Sequence, residues 1–146
     1  MFKIALALAA GAAVAIQTLL NGHVRTLIGG PLWAAALNNF VGLLGLAFAL
    51  LVMGARAPGL DAARDMPLGY LTAGLLGATF VATNAWLAPQ LGLATTFVLV
   101  LSGQLAASLL IDRVGWSTGT AAPLTAPVLA GVLLVVIGAA LVVRNR

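Results

Sequence analysis

The side chains in this sequence that could do chemistry are few, mostly uncharged, and set into long apolar runs. Gln104, Ser108 and Asp112 fall four residues apart, a spacing that places them on one face of a helix. Gln17 and Asn21 repeat that step, Asn38 and Asn39 lie early in a second apolar run, and Asn84 lies near the end of a third. An amide offers a donor and an acceptor on one planar group, so clustered amides can hold an uncharged or zwitterionic polar molecule by hydrogen bonds alone. Hydrocarbon offers such groups no partner, so each must find one in protein, water or cargo. For any single amide the commoner use is to bridge two helices, worth about 0.6 kcal/mol. Several at one depth argue instead for a polar chamber, and Gln17, Asn21, Asn38, Asn39, Asn84, Thr95 and Thr96 share such a depth.

Enzyme chemistry is not expected. His23 is the only histidine and has no companions for metal binding or acid–base work; no Ser/His/Asp spacing and no glycine-rich phosphate loop occurs, and no metal or other cofactor is implied. Asp112 is the only carboxylate attached to an apolar run, because glutamate is absent and Asp61 and Asp65 fall in a polar loop. Beside Arg113 at a helix end it reads as a boundary residue; the sharper alternative pairs it across a dimer with Arg25 or His23. Trp33, Trp86 and Trp116, all near helix ends, fit an interfacial belt, with Trp86 the best candidate for an aromatic wall.

The elements that must position these residues follow from composition. Of 146 residues, 62% are hydrophobic and 7% charged, against roughly 25% charged in a soluble domain, so the chain belongs in a bilayer. Spanning about 30 Å of hydrocarbon takes about 20 residues. Five apolar runs qualify, at about 4–20, 32–53, 67–87, 92–111 and 127–143, which predicts an all-α membrane protein, one helical bundle over residues 1–146. The opening MFKIALALAAGAAVA also fits a secretory signal, but hydrophobicity continues to Leu20 without a polar step, which favours a retained helix. Asn21-Gly22 reads as the stop of the first helix and Pro89 as the stop of the third. Gly42 and Gly45, like Gly103 and Ala107, offer small surfaces for close helix contact. The strings VGLLGLAF and AGLLGATF match by chance composition rather than by duplication.

Charge placement bears on orientation rather than on nucleic acid, since the basic residues behind the net charge of +4 are scattered. With five crossings, Lys3, Arg56, Arg64 and Arg113 lie on one side and Arg25, Arg144 and Arg146 on the other, four against three. So small a bias predicts dual topology: copies inserted both ways and paired as an antiparallel homodimer. Such a pair supplies in two chains the inverted repeat that many transporters carry in one, with the cargo site at the repeat interface.

The segments GAAVAIQTLLNGHVRTLIGGPLWAAALNNFVG and NAWLAPQLGLATTFVLVLSGQLAASLLIDRVGW resemble the YdcZ-like family of small bacterial inner-membrane proteins in the drug/metabolite transporter superfamily. The likeness runs from Gly11 to Gly138, and its most specific marks are Gln17, Asn21-Gly22, Arg25, Pro31, Pro89, Gly92, Gly103-Gln104, Ser108, Asp112 and Gly115. The resemblance implies a five-helix, transporter-like protein of the inner membrane, working as an antiparallel pair or a fused inverted repeat. The chain is also distantly similar to the small multidrug resistance proteins, which have four helices and a proton-carrying glutamate in the first. This sequence has a fifth run and no glutamate, with Gln17 nearest in role, so it lacks the carrier that mechanism needs.

The expected function is therefore alternating-access transport of a small polar or zwitterionic metabolite across the inner membrane by a multi-pass, antiparallel dimer. Gln17, Asn21, Asn38, Asn84, Trp86, Gln104 and Ser108 are the expected cargo contacts; Gly42, Gly45, Gly103 and Ala107 the packing surfaces; Arg25 and Asp112 the boundary pair. The rival from another class is a non-transporting assembly or regulatory protein whose amides serve helix packing.

Overall fold

A computed structural model describes residues 1–146 apart from 58, 60–63, 65, 117, 118, 145 and 146. Asp61, Asp65 and Arg146 thus lie outside the described residues. The chain forms α1 (Phe2–Ile28), α2 (Pro31–Val52), a 3-10 turn over Leu68–Leu71 that leads into α3 (Thr72–Leu91), α4 (Leu93–Arg113) and α5 (Ala126–Arg144). All five, with the 3-10 turn counted into the third, are long and apolar enough to cross a membrane.

Two expected boundaries are corrected. The first helix does not stop at Asn21-Gly22; it continues through His23, Val24 and Arg25 to Ile28, 27 residues in all. Glycine inside a helix costs about 1 kcal/mol relative to alanine, which tertiary contact can offset, and Gly22 is buried. The true stop is Gly29, whose φ of 89° puts it in the left-handed region, with the N–H groups of Gly29 and Gly30 both returning to Arg25 O. Pro31 then opens α2, where its missing N–H costs nothing. The third helix likewise runs past its expected end, with Pro89 inside it and only Gly92 between it and α4. A proline near a helix C-terminus removes one hydrogen bond without having to end the helix. Arg25 and Asp112, expected in or beside loops, are consequently helical residues.

The chain divides into two compact units, Met1–Gln90 and Leu91–Arg146. In the first, α1 and α2 pack along each other, and the short turn at Gly29-Gly30 makes them antiparallel. In the second, α4 packs with α5. Burial runs opposite to that of a soluble protein. Among the described residues the buried hydrophobic side chains are all alanines, joined by the polar Thr18, Asn21, Asn84, Thr95 and Thr96, while Leu8, Leu46 and Leu134 lie about 70% exposed (71%, 67% and 70%). Lipid tails are as apolar as leucine, so leucines gain nothing by turning inward, and small or polar residues take the helix contacts.

Candidate functional site

Within the first unit, α1 and α2 bring three amides together. Asn38 lies on α2 where it faces the Gln17–Asn21 stripe of α1, and its side-chain oxygen accepts from Gln17 Nε2 at 2.8 Å and from Asn21 Nδ2 at 3.3 Å. The four-residue step from Gln17 to Asn21 aims both amides at one point across the helix pair. Asn21 is buried and the other two are half-buried, whereas Asn39, next along α2, is exposed.

This triad is shared by two grooves. One, of about 420 Å³, is completed by Val24, Leu37, Val41 and Gly42; the other, of about 360 Å³, by Ala13, Ile16 and Leu20. Among the described residues no charged side chain lines either. With Asn38 Oδ1 occupied twice, Gln17 Oε1, Asn21 Oδ1 and the Asn38 NH2 group make no hydrogen bond among the described residues. Two acceptor oxygens and one wholly unused NH2 group therefore remain in a space with apolar walls. That set suits a ligand carrying both donors and acceptors without net charge. A third groove, lined by Ile28, Trp33, Ala36, Leu37 and Phe40, has no polar side chain apart from the Trp33 indole.

On another face of α1, Gly22 meets α3. A Cβ at Gly22 would sit 3.3 Å from Pro89 Cγ, so the two helices approach closely there. One turn on, Arg25 Nη1 donates to Trp86 O at 3.1 Å, and Gln90 Nε2 donates to the same oxygen at 2.8 Å. Trp86 contributes this backbone carbonyl, while the residue is 51% exposed and closes neither amide groove.

Asn84 is 2% exposed; its Nδ2 donates to Phe80 O of its own helix at 2.9 Å, and its Oδ1 has no partner among the described residues. Gln104, Ser108, Gly103 and Ala107 are all exposed on α4, in the second unit. A Cβ at Gly42, Gly45 or Gly103 would meet nothing within 4 Å inside the chain. Asp112 lies in the last turn of α4, and its backbone oxygen accepts from Gly115 and Ala122, at 3.1 and 2.9 Å. Gly22 and Pro89, read from the sequence as helix stops and as marks of the family resemblance, are the residues whose contact was missed; the available signal was the small Gly22 placed three residues before Arg25.

A family model described as "Putative inner membrane exporter, YdcZ" matches residues 2–141. Comparison with curated proteins gave no match, nor did comparison with solved structures.

Proposed function

The chain belongs to the YdcZ family of inner membrane exporters, and from that premise we propose that it moves a small polar, uncharged or zwitterionic solute which hydrogen-bonds to Gln17, Asn21 and Asn38. The observation that carries this reading is the half-satisfied triad: Asn38 Oδ1 ties the amides together and leaves two acceptor oxygens and an unused NH2 group in uncharged grooves. A fixed charge there would favour an ion of opposite sign; amides hold a neutral or zwitterionic solute without the cost of stripping water from an unpaired charge.

Transport follows alternating access in an antiparallel homodimer, each protomer supplying one triad. Two features support this arrangement: the four-to-three balance of basic residues across the expected crossings, and the exposed Gln104 and Ser108, which need a partner inside a membrane. The Gln17–Asn38 bond also favours a second reading, in which the amides only hold helices together as part of a non-transporting assembly.

Efflux from proteoliposomes separates the two. Vesicles loaded with glycerol, urea, serine or glycine betaine should lose at least one of these faster than empty liposomes do. Acetate and tetramethylammonium should be retained, and the Gln17→Leu/Asn38→Leu variant should be inactive. No efflux of any of these solutes by folded protein would favour the assembly reading.

A further inference from the structure

We infer that Arg25 is a positioning residue for the amide triad: by gripping α3 at Trp86, beside Pro89, it sets the rotation of α1 and so holds Gln17 and Asn21 on Asn38. Every contact in this inference lies inside the first compact unit. It deepens the reading of the triad as the cargo site, but its test requires no cargo.

The starting point is Pro89. Having no N–H, it cannot bond to Ala85 O, and its ring crowds that same turn. Three residues before it, Trp86 O receives two side-chain donors, from Arg25 of α1 and from Gln90. Gly22 lets the proline ring come close: its missing side chain leaves room that a Cβ would reduce to 3.3 Å. Gly22 and Arg25, three residues apart, lie on one face of α1, so the helix is gripped twice within a turn.

Gly22 is turned away from the triad, and Arg25, four residues after Asn21, lies between the directions of Asn21 and Gly22. Successive residues on an α-helix are about 100° apart, so Asn21 toward α2 and Gly22 toward α3 fix α1 from two directions. Contact with α2 alone would leave rotation about the α1 axis weakly constrained. A polar atom about 5 Å from that axis moves about 2 Å for a rotation of about 20°. Such a shift takes the 2.8 Å bond from Gln17 to Asn38 outside hydrogen-bond range. Arginine suits this role because its long stem carries a planar fork of donors, so one can bind the carbonyl without fixing the whole stem.

The test reads the triad directly. Side-chain NH2 groups of Gln17, Asn21 and Asn38 are visible in 15N–1H correlation spectra of the full chain in lipid nanodiscs. In Arg25→Gln the hydrogen-bonded Nε2 proton of Gln17 should lose its downfield shift and exchange with D2O about tenfold faster. Arg25→Lys, whose longer stem can still carry a donor to Trp86 O where the shorter glutamine cannot, should restore most of both. Pro89→Ala, which returns an N–H to Ala85 O and leaves Arg25 in place, should move the same signals and decides the matter if Arg25→Gln does not fold. Triad signals that stay put in the folded variants overturn the positioning role and leave the cargo reading standing. Signals that move without any change in efflux establish the positioning role and count against the cargo reading.

Discussion

Replacing Asn38 by alanine distinguishes a binding triad from a packing triad, because the two roles differ in size. As packing, Asn38 Oδ1 accepts two bonds, at 2.8 and 3.3 Å. The first contributes about 0.6 kcal/mol, and the second, longer than an ordinary N–H···O bond, contributes less, so the variant should lose about 1 kcal/mol of stability. That shifts the folding equilibrium about fivefold and leaves a protein of ordinary stability folded. As a cargo contact, Asn38 supplies the NH2 group that the triad leaves unused, and losing a bond that leaves a polar partner unpaired costs about 1–3 kcal/mol. At about 1.4 kcal/mol per factor of ten, efflux per folded molecule should fall about tenfold or more at low cargo concentration. The assay pairs denaturation in lipid with efflux of whichever solute the wild type moves. Unchanged efflux per folded molecule, with the stability loss present, would refute the assignment of Asn38 to cargo.

Other substitutions probe separate parts of the structure. Gly115→Ala should destabilise the α4–α5 connection by more than about 1 kcal/mol, since φ is +71° and the new Cβ would lie 2.7 Å from the Thr120 backbone; thermal unfolding checks this. Asn84→Ala should cost no more than about 1 kcal/mol of stability, because it removes one bond, from Nδ2 to Phe80 O, together with a buried oxygen that made none, while efflux should fall if that oxygen meets cargo. Lysines at Ala57 and Gly59, beside Arg56, should convert a dual insertion into a single one. A C-terminal tag should then be accessible from one side of the membrane only, where the wild-type tag is accessible from both; a wild-type tag confined to one side would remove the dual-topology proposal.

Composition and run length alone revealed the five helices, because hydrocarbon demands length and apolarity and little else. Helix ends were less legible. Asn21-Gly22 carries a stop signal that the contact with Pro89 overrides, and Gly29-Gly30, also visible in the sequence, is the one that acts. Gln17, Asn21 and Asn38 could be chosen by residue type, yet which amides would meet depended on the register of α1 against α2. That register rests on the turn at Gly29-Gly30, eight residues beyond the helix end first read from Leu20 and Asn21. The tie from Arg25 to a carbonyl of α3 was not readable at all, because a backbone acceptor has no letter in the sequence.

Whether the triad is wet is the most direct test of a cargo site. The chain has no cysteine, so thiols placed singly at Val24 and Val41, both walls of the larger groove, can be probed with a membrane-impermeant maleimide. A thiol reacts as its thiolate, which forms in water and not in hydrocarbon. Leu46→Cys, on an outward-facing position of α2, serves as the lipid-facing control. A cargo site requires the groove thiols to react much faster than the control, and with slower labelling in the presence of transported solute. Groove thiols as unreactive as the control, in folded protein, would contradict it and leave the amides as a dry bridge between helices.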